Sequence, residues 1–231
     1  MTKEIVFINS TNFNLIGCEP KPARNEIPEW YKNLDSYINK EKKPVGDGTT
    51  AATIKRCMPV FDALTAGYLI YTHTDIFISQ KNEQPYYEWA NFGALSFHPI
   101  EQAPTHPASQ DNAYPKFINP WSIKTPKGYS SLFVNPVHRH SEFSILEGIV
   151  DTDKYLNPVN FPFVLKNKNF EGLIPKGTPV VQVIPFKRDS WKHGISEDKH
   201  AKEEINAQKE LLNSTFFDRY KKLWWQTKSF K

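Results

Sequence analysis

A short run of alternating polar side chains holds the residues best suited to metal chemistry. His138, His140 and Glu142 would share one face of a strand, because successive side chains of a strand point to opposite faces. Imidazole and carboxylate ligands suit iron or manganese. His193, further along the chain, would complete a His-x-Glu…His triad. The alternative, which we favour, is a polar exposed loop between strands, so a divalent metal is a candidate cofactor that the sequence does not require.

Two aspartates one residue apart form a second candidate site. Asp151 and Asp153 could bind a hard cation, although two carboxylates fall short of the six or more oxygen ligands that calcium takes. Aspartate side chains also bond to their own main chain two residues on and so stabilise turns. We favour this stabilising role for the pair.

Two cations, Lys187 and Arg188, follow directly on the last predicted strand. Their side chains could bind a carboxylate or a phosphate group of a ligand. They could equally mark the solvated edge of a sheet, where natural β proteins place charge.

The composition indicates a folded, β-rich protein. The 231 residues include 6 Trp, 10 Tyr and 16 Phe, enough for a substantial core, and 18 prolines against 10 glycines favour short strands and ordered loops. No apolar run is long enough for a membrane helix, and the first residues lack the features of a signal peptide. Two cysteines make no disulfide framework, so we expect a cytoplasmic protein of the host or producing cell.

The elements that would position the candidate residues are mostly strands. Residues 27–39 predict a peripheral helix, and from residue 53 to residue 186 short runs of β-forming residues follow one another, starting with TIKRC at 53–57. A proline-rich loop is predicted at 99–120. We therefore expect a mainly β core domain over residues 1–190, of β-clip-like or related double-sheet type.

The C-terminal residues 191–231 predict a helical arm. The residues from Lys187 onward carry the whole surplus of positive charge, +4, with 11 basic and 7 acidic residues, a mixture that lacks the dense basic stripe of a nucleic-acid protein. Its aromatic cluster is too apolar to be left in water, so we expect it to pack on the sheet domain or on a partner subunit. The predicted contact residues are Phe216, Phe217, Tyr220, Trp224 and Trp225.

Residues 126–186 resemble the core of the dUTPase and dCTP deaminase superfamily, the β-clip proteins. The motifs that carry the resemblance are PKG at 126–128, GIVDTD at 148–153 and GTPVVQV at 177–183. The resemblance implies that Asp151 is the catalytic aspartate, which would orient water for attack on a phosphate, and that Gln182 lines the same pocket. It implies that Tyr155 stacks on a pyrimidine, and that the protein forms a trimer.

The sequence departs from this family where the family binds phosphate. The Arg-Ser pair of the family would fall near Val134 and Asn135, Lys154 shifts the tyrosine by one position, and the glycine-rich C-terminal motif is missing. Without donors for a triphosphate, burying its negative charges is prohibitively costly. We therefore do not expect dUTPase activity.

Several blocks along the whole chain resemble an uncharacterised family found mainly in tailed-phage and bacterial genomes. They include IPEWYK at 27–32, GYSSLFVNP at 128–136 and GTPVVQVIPFKR at 177–188. We favour a non-catalytic phage accessory or structural protein, in the cytoplasm or in the virion, that acts by binding a protein or a ligand. The alternative is a small-molecule enzyme, either nucleotide-directed through Asp151 and Gln182, or resembling the oxoglutarate-dependent oxygenases through His140, Glu142 and His193.

Overall fold

The structure is a computed structural model, and it describes residues 3–40, 51–90, 93–102, 106, 113–213 and 219–231. The chain divides into two compact units. We call them the β unit (Met1–Glu26, Ala66–Arg188 and Phe230) and the helical unit (Ile27–Thr65, Asp189–Ser229 and Lys231). This grouping differs from the predicted division at residue 190, because residues 27–65 fall with the C-terminal residues.

The β unit is built from short strands joined by ordered loops, so the prediction of a mainly β fold is confirmed. Within its described residues the strands are β1 (Val6–Asn9), β2 (Lys21–Pro22), β3 (Tyr68–Tyr71), β4 (Ile76–Lys81), β5 (Gln84–Trp89), β6 (Leu95–His98), β7 (Tyr114–Phe117), β8 (Trp121–Lys124), β9 (Tyr129–Val134), β10 (Phe143–Ile145), β11 (Gly148–Val150), β12 (Phe161–Leu165), β13 (Gly172–Ile174) and β14 (Pro179–Lys187).

All the strand pairs are antiparallel among the residues described. The largest sheet has the order β11-β9-β14-β3-β2, and a second has the order β10-β12-β7-β6. Smaller sheets pair β13-β4-β5 and β1-β8. The longest strand, β14, is central to the largest sheet because it pairs with β9 on one side and with β3 on the other.

Aromatic rings from three strands of the second sheet form the centre of the β unit's core. The rings of Phe117 and Phe163 stack with centroids 4.1 Å apart, and Phe143 meets both of them at 4.8 and 5.6 Å. All three side chains are buried. Along β12 buried residues alternate with half-buried ones, as expected for a strand with one face on the core.

The run FSILEGIV at 143–150 is continuous in β-forming residues, which predicts one strand, but it forms two strands in different sheets, β10 and β11. The break is made by the side chain of Asn135, whose Oδ1 accepts from the Ile145 amide at 2.8 Å. Its Nδ2 donates to Glu147 Oε1 at 3.1 Å. A side chain thus takes the place of a neighbouring strand at the end of β10, which lets the chain turn toward β9.

The helical unit contains α1 (Glu29–Asn33), α2 (Met58–Thr65), α3 (Lys199–Asn213) and α4 (Arg219–Leu223). The predicted C-terminal helix is therefore present, and α1 is a short form of the helix predicted over 27–39. It ends at Asn33 because Leu34 is extended. The sequence also allows a break in the helical arm near Ser214, where a second helix could begin, and Ser214 lies outside the described residues.

Two further sequence-based assignments were wrong. The predicted strand at 53–57 is a 3-10 turn, Ile54–Arg56, that leads into α2, where Pro59 suits the first helical turn because it has no amide to leave unpaired. Strand β7 lies inside the segment predicted as a loop.

Within the described ranges, no helix combines the length and the apolar character needed to cross a membrane.

Candidate functional site

Arg188, at the end of β14, ties the two predicted aspartates together. Its Nη1 and Nη2 donate to Asp153 Oδ1 at 2.8 Å and to Oδ2 at 2.5 Å. Nη1 also lies 3.1 Å from Asp151 Oδ1 and donates to the Tyr129 carbonyl at 2.9 Å. The Ser130 hydroxyl donates to Asp151 Oδ1 at 2.7 Å. One guanidinium therefore contacts both carboxylates, and its pair with Asp153 has the two-pronged geometry that makes arginine–carboxylate pairs strong.

The turn between β11 and Tyr155 is also bonded to residues of β9 and of the loop that precedes it. The Gly128 amide donates to Asp153 Oδ2 at 2.8 Å. Between the aspartates, the buried Thr152 hydroxyl lies 2.8 Å from the Thr125 hydroxyl and 2.9 Å from that of Ser131. The small polar residues around this turn thus fix the direction of both carboxylates.

The two aspartates differ in exposure but share the direction of their pKa shifts. The side chain of Asp153 is 2% exposed, and bonds from Arg188 and then from Gly128 hold its pKa far below the ordinary value. The side chain of Asp151 is 53% exposed, and its pKa is lowered by the Ser130 hydroxyl first and by Arg188 after that. In turn, Asp153 and Asp151 raise the pKa of Arg188. Carboxylates with lowered pKa values are weak bases at neutral pH.

An open groove of about 660 Å³ adjoins Asp151. On it lie the half-exposed ring of Tyr155, the exposed Ile149 and a basic pair in which Lys116 Nζ is 3.2 Å from His98 Nε2. The groove thus combines an aromatic ring, an apolar side chain, a cation and a carboxylate. The full lining is His98, Lys116, Ile149, Val150, Asp151, Tyr155, Pro158, Val159 and Asn160.

Gln182 is not part of this groove. Its side chain is fully buried, accepts from the Val137 amide at 2.9 Å and donates to the Ala66 carbonyl at 2.7 Å. Gln182 is opposite Val134 in the β14–β9 pairing, whereas Ser130, which contacts Asp151, is opposite a residue four positions further along β14. At about 3.3 Å per residue this is a separation of roughly 13 Å. The structure therefore separates the pair that the resemblance placed in one pocket.

The position of the family's Arg-Ser pair and the two cations after β14 hold residues with structural roles or surface positions. Asn135, near the expected Arg-Ser pair, is the residue that ends β10. Lys187 is exposed at the end of β14. Arg188, predicted to bind a carboxylate or phosphate of a ligand, binds carboxylates of its own chain instead.

The structure does not assemble the predicted metal ligands. His138, His140 and Glu142 lie in the connection between β9 and β10 rather than on a strand, so they do not share a strand face, and all three are exposed. His193 is exposed in the segment before α3. Among the described residues, no group of three or more His, Cys, Asp or Glu side chains is placed to hold a metal ion.

In the C-terminal aromatic cluster, Trp225 is an anchor within the helical unit. Its Nε1 donates to both carboxylate oxygens of Asp62 at 2.9 and 3.0 Å, and Lys228 Nζ donates to the same carboxylate at 2.7 Å. Trp224 is half-buried and Tyr220 is exposed. Phe216 and Phe217 lie outside the described residues. Asp62 therefore accepts hydrogen bonds whose donors lie in the C-terminal segment.

Sequence reasoning missed Ser130 and the basic pair. Ser130 lies in a run of residues whose pattern predicts only a strand. Nothing in the neighbouring sequence indicates which residue its hydroxyl will bond to. His98 and Lys116 come from β6 and β7, and only the pairing of these strands brings them together. No signal in the sequence linked them.

No family model matches the chain, and no curated protein matches it significantly. Solved structures that do match include a dUTPase variant from phage phi11 of Staphylococcus aureus, with a TM-score of 0.30 and 11% identity over 58% of this chain and 85% of that one. A dUTPase variant of Staphylococcus bacteriophage 80alpha, solved with dUpNHpp, matches with a TM-score of 0.31 and 12% identity over 58% and 76% of the two chains. These neighbours belong to the family that residues 126–186 resemble.

Proposed function

We propose that this chain is a phage-type accessory protein that acts by binding, and that its groove beside Asp151 takes a small ligand with an aromatic ring and an anionic group. The observation that carries the proposal is the engagement of both aspartates by Arg188. Carboxylates held in ion pairs can form the fixed wall of a binding site, whereas a hydrolase that used Asp151 to activate water would need that carboxylate to accept a proton.

The argument against catalysis rests on the protonation of Asp151 and Asp153. An efficient general base has a pKa near the working pH, and both carboxyl pKa values lie below their ordinary range. The charge of Arg188 is also committed to these carboxylates, so it offers little attraction to the phosphates of a nucleotide.

The argument for the ligand class rests on the groove's side chains. The half-exposed ring of Tyr155 offers a face on which a planar ring can stack. Lys116, beside His98, offers a positive charge to an anion. Ile149 adds apolar contact area, so the groove suits a ligand that combines ring and anion.

The test uses three probes with the full chain: dUMP, which has both ring and anion, deoxyuridine, which lacks the phosphate, and inorganic phosphate. We expect dUMP to raise the Tm more than either fragment, because a ligand that binds only the native state stabilises it by mass action. Y155A and K116A should each reduce that shift. K124A, which removes an exposed lysine from β8, is the matched control and should leave the shift unchanged.

Three outcomes would overturn the proposal. The first is a dUMP shift that survives both K116A and Y155A, and the second is no shift at all with any probe. The third is release of pyrophosphate from dUTP in the presence of Mg²⁺ that D151N abolishes, since that result would make the chain an enzyme with Asp151 as a catalytic residue.

A further inference from the structure

Helix α3 has 15 residues, and almost none of its surface is buried. From Lys202 to Leu212 every residue is exposed, and Ala201 is only half-buried. Isolated helices of about 12 to 15 residues are marginal in water, because most helical stability in proteins comes from packing an apolar face. Among the described residues of this chain, none therefore buries the apolar face of α3.

The exposed apolar face of α3 follows coiled-coil spacing. Ala201, Ile205, Gln208 and Leu212 recur at intervals of four, three and four residues, which places them along one stripe, here called the seam. The side chains at its two strongest positions, Ile205 and Leu212, are 52% and 49% exposed. The seam is short, and the polar Gln208 makes its packing weaker than that of an all-apolar seam. It therefore suits a partner that also contacts the chain elsewhere.

The charges that flank the seam have opposite signs. Glu204 lies on one flank, and Lys202 and Lys209 lie on the other. When two such helices pair in parallel, the acidic flank of each faces the basic flank of the other, and Glu204 lies opposite Lys209 of the second copy, five residues ahead. When they pair antiparallel, the lysine flank faces its own copy and like charges repel.

We propose that α3 is a self-association surface, on which the seam of one chain packs in parallel register against α3 of a second copy. The charge pattern argues for a copy of this chain over another protein, since the two flanks complement each other within one sequence. The proposal does not depend on the groove beside Asp151.

Disulfide cross-linking tests the register directly. In a parallel pair Ile205 lies beside Ile205 of the second copy, so I205C should form an intermolecular disulfide under mild oxidation. A207C, an exposed position on the opposite side of the helix, is the matched control. Unmodified protein measures the background from Cys18, which is buried, and Cys57, which is half-buried. We expect at least about tenfold more cross-linked product from I205C than from A207C. A disulfide forms only between cysteines whose Cα atoms lie within about 7 Å, and the parallel pair brings only position 205 of the two that close to its copy.

Charge reversal tests the pairing of the flanks. E204K and K209E should each raise the dissociation constant about tenfold, and the double variant E204K/K209E should restore it, because the opposite charges face each other again. Sedimentation equilibrium over a wide range of protein concentration gives the mass and the constant. Far-ultraviolet circular dichroism checks that each variant remains folded.

The proposal fails if I205C gives no more cross-linked product than A207C. It also fails if the protein stays monomeric at all concentrations, or if a larger mass persists in I205E/L212E, since the association would then use another surface. Single reversals without effect, or a double variant that does not recover, contradict the parallel arrangement.

Discussion

The guanidinium of Arg188 meets two carboxylates, a hydroxyl and a main-chain carbonyl within 3.1 Å. Asp153 is nearly inaccessible and needs this partner, because a buried charge without one is costly. Lysine is not an equivalent substitute, since its single ammonium cannot bind both oxygens of a carboxylate in a planar fork. Arg188, which the sequence offered as a cation for a ligand, therefore stabilises the fold by pairing with carboxylates of its own chain.

Replacing Arg188 should make stability depend on pH in a defined way. The pKa of Asp153 is lower in the folded than in the unfolded chain, where it is about 4, so the ion pair stabilises the fold above that pH and is lost as the pH falls. We expect R188M to be less stable than the natural protein at pH 7, with the difference shrinking below about pH 4. Urea unfolding across this range measures it.

The control for this measurement is K124M, which removes an exposed lysine from β8. Its effect should be small and nearly constant with pH. A deficit in R188M that keeps its full size down to pH 3 would contradict the assignment of the lost stability to the aspartates.

At the scale of elements, the approach of β3 to β14 depends on Gly67. This residue precedes β3 with a φ of +65°, and a Cβ placed there would lie 1.9 Å from the main-chain oxygen of Val183 in β14. The Gly67 carbonyl also accepts from the Ala23 amide at 2.9 Å. A side chain here would therefore push apart two strands of the largest sheet.

G67A should lower the free energy of unfolding by about 3 kcal/mol or more, since it adds a clash with main-chain atoms to the strain of a positive φ. G17A is the matched control, because Gly17 has a φ of +82° but open space around it. We expect it to cost about 1 kcal/mol, the strain alone. Equal losses for both variants in urea unfolding would show that the close approach is unimportant.

At the scale of the whole molecule, charge and exposed apolar surface concentrate in the same part of the chain. The surplus of cations lies from Lys187 onward, and exposed apolar side chains of that region include Trp191, Ile195, Ile205 and Leu212. Single exposed apolar residues are ordinary in proteins, whereas Ile205 and Leu212 lie together on the seam of α3.

Self-association through α3 should make helix melting depend on protein concentration. Because a second copy binds only the folded helix, the Tm of the far-ultraviolet helix signal should rise as the protein is concentrated. I205E/L212E should melt at one temperature at all concentrations, and A207E should behave like the natural protein. A Tm that is independent of concentration in the natural protein would count against assembly through this helix.

The amino-acid sequence by itself determined the mainly β character, most of the individual strands and the C-terminal helix. These depend on local alternation and proline placement. It also predicted a turn around Asp151 and Asp153 with bonds to their own main chain, whereas their carboxylates bond to Ser130, Gly128 and Arg188, which are distant in sequence. It misplaced the segment at 53–57 and joined β10 to β11, because short apolar runs fit more than one element and the side chain of Asn135 gives no local sign of its role.

Only the tertiary structure decided which side chains meet. Arg188 pairs with Asp153 across 35 residues, and Lys116 meets His98 across 18. Both meetings depend on strand pairing and register, and a slip of one residue would turn each side chain to the other face. The same register buries Gln182 away from Asp151, so the pocket expected from motifs was replaced by a groove that no motif describes.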